Sequence, residues 1–512
     1  MKQLHELITL LGKNKVKSNV LLDALLESGS KKQELFDLIA EGRVQSDEEA
    51  ISLLYGDPGP KNSYNVVKTK LKDSLTEALL LLDFKTTNYS NRQRSYHDCN
   101  MKWAAIQILL TSNARLTGIE LLEKLLQQAL KYEFTEIAIN ALRLLRLHYG
   151  NVEGDLKKFE QINMRYNHLQ TLWIWENRAE ELYTSMTIGF VNSKSGTAEI
   201  SQVARQYFDE ISPWLSKYDS FKLHLFGRLI QITIYSSIND YQRTAELCED
   251  ALAFFKLKPY DSSLPLQVFY YQLAVSYIQL RAFDKGQALI NSVESVFEEG
   301  SFNWFKFKEL FFLLAMHTER YAEGASVCNQ IMKHPKLNNH PAHISEMWKI
   351  YQAYVYILVR MGIISDDEYE HKSTKFKLQK FLNDIPVFSR DRQGMNIPVL
   401  IAQILLLIVE RNYEASIDRI GAIEKYCSRY LKQKDTLRSN VFIKMLLQIP
   451  LASFHKEALI RKAAKLLKML QDTPMEISNQ AYEIEIIPYE ILWDMLIASL
   501  DRKTYRARGG SD

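Results

Sequence analysis

"FYYQLAVSYIQLRAFDKGQALINSV", residues 269–293, reads as two helices with a break at Arg281–Ala282. After the aromatic Phe283, the positions three, seven and ten residues on are Gly286, Ile290 and Val293, which trace one stripe of a helix. Six and nine residues before it stand Tyr277 and Ala274, on what must be a preceding helix. The pattern recurs at Tyr241 (Thr244, Cys248, Ala251), at Tyr321 (Gly324, Cys328, Ile331) and at Tyr413 (Ser416, Ile420, Ile423). Upstream, the positions matching Tyr277 are Tyr235, Ala315 and Leu407, and those matching Ala274 are Ile232, Phe312 and Ile404. A unit of helix, short turn, helix therefore repeats, and the small residue three after the aromatic lets two helices approach closely despite its helix cost of roughly 1 kcal/mol for glycine.

In its small residue, its aromatic and the proline that closes the unit at Pro335, this pattern resembles the tetratricopeptide repeat, with Ala274, Tyr277, Phe283 and Gly286 in the matching places. Tyr241 and Phe283 stand 42 positions apart, and Phe283 and Tyr321 stand 38 apart, against about 34 in that family. The 92 residues from Tyr321 to Tyr413 must hold two units, the intervening one beginning at "HISEMWKIYQAYVYILVRMG". The resemblance implies an all-α fold: an α-solenoid, a superhelix of antiparallel helix pairs. The expected organisation is an N-terminal region of short helices over 1–83, a linker or long helix end over 84–100, the solenoid over 101–500 with its clearest repeats in 220–430, and a disordered basic tail over 501–512. A flexible stretch is expected over 192–199.

Composition agrees with this class. A chain of 512 residues exceeds the roughly 250–300 that one core supports, so it is several domains or an elongated array. It has 19 glycines and only 12 prolines, and most prolines, Pro213, Pro265, Pro398 and Pro450 among them, read as punctuation between helices. With 64 basic and 61 acidic side chains, net charge offers no argument for a polyanionic partner. Cys99, Cys248, Cys328 and Cys427 are scattered, which points to a reducing, cytoplasmic setting, with Cys248 and Cys328 as core thiols. The opening "MKQLHELITLLGKNKVKSN" does not read as a secretory signal. The longest apolar run, from Ile397, meets Glu410 before it could span a bilayer.

The resemblance places the first helix of each pair on a concave, partner-binding surface. It thereby nominates Lys306, Glu309, Leu313 and His317 on one helix and Lys349, Gln352, Tyr356 and Arg360 on the next, with Trp348 and Tyr356 as aromatic anchors. Whether that groove is open or closed by the chain's own helices is left undecided. The lysine–asparagine pattern that clamps a peptide carboxylate in some family members is missing, its places being taken by residues such as Tyr271, Val275, Ile278, Leu229 and Thr233.

Other features carry weaker chemistry. His334, His340 and His343 share one segment, but no cysteine or carboxylate stands near before Glu346, so an interhelical loop is expected and no metal. "GFVNSKSGTAE", from Gly189, lacks the Gly-Lys-Ser/Thr run of a phosphate loop. "KEALIRKAAKLLKMLQ", from Lys456, sets Arg461, Lys462, Lys465 and Lys468 on one side, an alternative basic face for nucleic acid or an anionic membrane, or a solvated face neutralised by Glu476, Glu483, Glu485 and Glu490. Ser46 and Glu49 form a capping box, and the acidic first turn behind Ser46 would repel phosphate, which disfavours a DNA-reading helix. No hydrolase, zinc-protease or dinucleotide motif occurs. The reading is a non-enzymatic interaction scaffold or adaptor without a cofactor; the alternative is a nucleic-acid-associated or peptide-sensing regulatory protein.

Overall fold

The computed structural model describes residues 1–13, 19–57, 59–82, 90–192, 197–293, 296–365, 376, 381, 396–410, 437–473 and 485–500. Among the described residues there are twenty-one α-helices and no strand. The contacts divide the chain into two units, Met1–Arg178 with Lys258–Ser262, and Ala179–Leu257 with Ser263–Asp512.

The first unit opens with α1 (Lys2–Lys13), α2 (Asn19–Leu26), α3 (Lys31–Ala40), α4 (Asp47–Tyr55) and α5 (Lys61–Ala78). They enclose a core of Leu4, Leu35, Val44, Tyr64, Leu71 and Leu75. Ser30 caps α3, and the Ser46–Glu49 box caps α4. Asp47 accepts from the Tyr64 hydroxyl at 2.6 Å and pairs with Lys68 at 2.8 Å. Asp47, in the first turn of α4, is thus tied to α5. A separate core follows, built from α6 (Asn91–Thr111), α7 (Arg115–Lys131), α8 (Thr135–His148) and the beginning of α9 (Leu156–Asn192). It is centred on Cys99, Ile106, Leu122, Leu125, Ala141 and Leu142. Residues 91–100 form the first turns of α6, entered through a Ser90–Gln93 capping box.

The second unit continues with α10 (Thr197–Lys217), α11 (Phe221–Ser236), α12 (Tyr241–Lys256), α13 (Ser263–Gln279), α14 (Phe283–Val293), α15 (Phe302–His317), α16 (Tyr321–Met332), α17 (Ala342–Arg360), α18 (Asn396–Val409), α19 (Leu437–Leu451), α20 (Lys456–Gln471) and α21 (Tyr489–Leu500). These helices pack chiefly on their neighbours in the chain, as the helix pairs of an α-solenoid do. Tyr241, Phe283 and Tyr321 are each the first residue of a second helix. The stripe behind them is core: Cys248, Ala251, Ile290, Val293, Cys328 and Ile331 are all buried, as are Ile232, Ala274, Phe312 and Ile404 on the preceding helices. The fourth copy, Tyr413 to Ile423, lies outside the described residues, as do 193–196, the tail 501–512 and Cys427.

Five of the turns between consecutive helices repeat more closely than the sequence does. Asn113, Glu133, Asn239, Arg281 and Glu319 all have left-handed backbones, with φ of 61°, 55°, 62°, 52° and 62°. In each turn the next residue's N–H bonds the carbonyl five positions back: Ala114 to Leu109, Phe134 to Ala129, Asp240 to Tyr235, Ala282 to Tyr277, and Arg320 to Ala315. This is the Schellman termination, usually served by glycine. Here side-chain-bearing residues adopt it at a cost of about 1–2 kcal/mol each. Glu319→Gly is therefore expected to stabilise by about 0.5–1 kcal/mol, and Glu319→Val to destabilise by a similar amount because a β-branched residue fits that region worst. Thermal melts of the two variants should shift in opposite directions, and shifts of the same sign would refute this account of the turn.

Two expectations about glycine and proline need correction. A Cβ on Gly324 would lie 2.5 Å from Met316 Cε on its own pair's first helix, whereas one on Gly286 would lie 2.2 Å from Leu314 Cδ2 on α15, the first helix of the next pair. Gly286 thus relieves packing between pairs, not within one. Pro213 does not end a helix but sits inside α10. The carbonyl it cannot serve, that of Asp209, accepts instead from the Ser212 hydroxyl at 3.4 Å. Pro265 and Pro398 occupy the first turns of α13 and α18, where no amide donor is needed, and Pro450 lies in the last turn of α19.

Candidate functional site

The first helices of three successive pairs, α13, α15 and α17, are cross-braced by polar contacts. Asn303 on α15 donates to Gln267 on α13 at 3.0 Å, and the Tyr351 hydroxyl on α17 donates to Glu309 on α15 at 2.9 Å. Burial, with Glu309 beside it, pushes the Tyr351 phenol well above its usual range, so it remains a donor. Lys306 closes the group through a 2.7 Å ion pair with Glu309.

The eight nominated residues divide into two sets. Lys306, Glu309 and Tyr356 are half-buried, and Lys349 and Arg360 are exposed. Leu313, His317 and Gln352 are buried and offer a partner nothing. His317 Nε2 donates to the carbonyl of Glu485, so the chain's own segment Glu485–Ile487 covers that end of α15. Trp348 is fully buried against Phe312 and Tyr351 and is a core residue, not an anchor. Tyr356 donates to Glu410 at 2.8 Å, and Arg360 pairs with the same carboxylate at 2.9 Å.

The histidine segment serves as scaffold. His340 bonds the Gly300 carbonyl at 2.9 Å, His334 packs on Trp304 and Phe305, and His343 meets the edge of Phe302. Among the described residues no cluster of histidine, cysteine and carboxylate side chains is placed to hold a metal ion. Burial pushes the Cys99 thiol up to about 11 and that of Cys248 up to about 12, which leaves both protonated and inert. Lys194 and Gly196 of the glycine-containing stretch lie outside the described residues.

Two features escaped the sequence. One is a recess of about 240 Å³ between α12, α13 and α14, carrying Glu246, Glu249, Tyr277 and Lys285. Glu249 accepts from the Tyr277 hydroxyl at 2.7 Å, and Glu246 pairs with Arg243 at 2.7 Å. The other is a buried charge centre on Arg438. Its guanidinium reaches Glu485 at 2.6 and 3.1 Å, Glu490 at 2.7 Å, and the carbonyls of Leu470 (3.0 Å), in the last turn of α20, and of Thr473 just beyond it. Glu485 and Glu490 therefore do not neutralise the basic face of α20. Glu476 and Glu483 lie outside the described residues. Arg461, Lys462, Lys465 and Lys468 are all exposed.

No family model, no curated protein and no solved structure matches the chain. Among the described residues no helix is long and apolar enough to cross a membrane.

Proposed function

We propose that this chain is a non-enzymatic interaction scaffold whose tetratricopeptide-like first helices present a surface to a segment of a partner protein. The observation that carries the reading is the row formed by α13, α15 and α17, held side by side by Gln267–Asn303 and Glu309–Tyr351. A row of parallel first helices gives an extended partner one contact per pair. Lys306, Lys349, Tyr356 and Arg360 form its accessible part, and the buried Leu313, Trp348 and Gln352 fix the helices beneath them. In this reading the partner meets a mixed polar and aromatic surface over α15 and α17 and stops where Glu485–Ile487 lies across His317. The buried free thiols fit a reducing, cytoplasmic setting.

A photoreactive residue at position 349, compared with one at the exposed Gln330 on α16, tests this. Position 349 is expected to give one adduct of defined mass from native extract, and the yield should fall about tenfold when Arg360→Glu reverses a charge three turns along the same face. Equal labelling from both positions would refute a first-helix binding surface. The competing regulatory reading, with nucleic acid as partner, rests on the basic face of α20 and predicts adducts that vanish steeply with salt.

A further inference from the structure

We propose that the exposed face of α20 docks an acidic, partly apolar segment of a partner protein. The inference rests on the scaffold reading for the class of partner but concerns a different surface.

Arg461, Lys462, Lys465 and Lys468 are exposed, and among the described residues none forms an ion pair with a carboxylate. Arg461 Nε donates to the Glu457 carbonyl at 3.3 Å, and Lys462 Nζ donates to the carbonyl of Leu451. Three structural explanations for such a cluster fail. Basic residues near a helix C-terminus commonly serve the terminal carbonyls, but Arg438 already occupies those of Leu470 and Thr473. Of the four glutamates expected to neutralise the cluster, Glu485 and Glu490 are taken by the same guanidinium, and Glu476 and Glu483 lie outside the described residues. Neighbours along the helix are unfavourable: Arg461 with Lys465, Lys465 with Lys468, and Lys462 with Lys465 are like-charged pairs at helical contact spacing. Glu457, four before Arg461, and Asp472, four after Lys468, offer opposite charge on this element, but neither forms an ion pair with the four basic side chains.

The face's shape selects among anions. At about 100° per residue, Arg461, Lys465 and Lys468 form the crest. Ile460 and Met469, exposed to 41% and 43%, lie on opposite shoulders of that crest. A bilayer would meet the charged crest first and leave both apolar shoulders in water. A nucleic acid gains from aromatic platforms, which α20 lacks, and from a broad positive field, which a chain of net charge +3 does not supply. A peptide carrying carboxylates toward the crest and apolar side chains toward one shoulder satisfies both features at once.

The test uses the full chain and a fluorescein-labelled acidic amphipathic peptide of repeating Glu-Leu-Glu-Glu. Saturable binding by fluorescence anisotropy is expected, weakened about tenfold or more by the combined Arg461→Gln, Lys465→Gln and Lys468→Gln substitutions. Ile460→Ser with Met469→Ser should weaken it as well, without changing its salt dependence. All five side chains substituted on the crest and shoulders are exposed, and circular dichroism checks that each variant remains helical. Lys349→Glu with Arg360→Glu should leave this binding intact, so that failure of the first-helix reading is seen separately. Peptide binding unchanged by the crest substitutions would overturn the proposal. So would tighter crest-dependent binding of single-stranded RNA, duplex DNA or phosphatidylserine vesicles than of the peptide.

Discussion

Arg438→Ala is expected to cost about 3–5 kcal/mol, the usual consequence of removing one partner from a buried ion pair. The side chain is 1% exposed, as is that of Glu485. Burial alone would lower the guanidinium's pKa, but the hydrogen bonds it donates to Glu485 and Glu490 outweigh it and the net shift is upward, so Arg438 is charged at every relevant pH. Its loss strands Glu485 in apolar surroundings beside Ile486 and Ile487 and frees the carbonyls of Leu470 and Thr473 at the end of α20. The remaining ligand of Glu485 is the Tyr489 N–H at 2.9 Å. Because Arg438 joins α19, α20 and the entry to α21, amide hydrogen exchange in these three helices should accelerate together while α1–α5 are unaffected. Arg438→Lys supplies charge but not the planar fork that spans two carboxylates and two carbonyls, so it should recover only part of the loss. Arg438→Met with Glu485→Leu should be milder than Arg438→Ala, since no buried charge is then left alone. The pH dependence has a definite sign. Burial raises the Glu485 carboxyl, Arg438 pulls it down, and the net shift is up; without Arg438 it rises further. A carboxyl whose folded pKa lies above its unfolded value destabilises the fold at higher pH, so the deficit of Arg438→Ala should shrink as pH falls toward 4.5. A deficit independent of pH would assign the effect to packing.

The helix pairs were legible in the sequence because a second helix must present core residues at fixed offsets from its start, and Gly286, Ile290 and Val293 do so after Phe283 whatever else surrounds them. The turns were not, because five different terminations use Asn, Glu, Asn, Arg and Glu in the left-handed conformation, where a glycine would have announced the stop. First-helix faces were readable only as spacing. Lys349, Gln352, Tyr356 and Arg360 share a helical face, yet Gln352 is buried and Arg360 exposed, a difference set by whatever packs above them and not by α17 itself. The same holds for His317 and Leu313, whose cover comes in the first case from a segment 168 residues away. The Arg438 centre leaves a faint trace: one arginine opening the apolar α19, and Glu485 amid isoleucines in "EIEIIPYE". Charges inside apolar runs ask for each other, but sequence cannot say which will meet.

His317 should make the second unit sensitive to acid. It is buried at the end of α15, with Nε2 donating to the Glu485 carbonyl and Nδ1 without a partner. This fixes the neutral tautomer, and protonation would place an unsatisfied N–H and a charge in the core. Burial lowers its pKa from 6.5 to about 4, the Glu485 carbonyl opposes this, and nearby Arg281 reinforces it. A histidine with a depressed folded pKa contributes stability that is complete above its unfolded value and is lost as pH falls from about 6.5 to about 4. The full loss from that shift is about 3 kcal/mol. Glu485 and Asp494, both raised, act in the opposite sense lower in the range. Subtracting a variant isolates the histidine. His317→Gln keeps an amide donor for the Glu485 carbonyl and removes the titration, so the stability difference between the native chain and this variant should change by about 3 kcal/mol between pH 7 and pH 4, in favour of the variant at acid pH. Parallel pH profiles for the two proteins would mean that His317 titrates alike in the folded and unfolded chain, and that the contact with Glu485–Ile487 does not shield it from solvent.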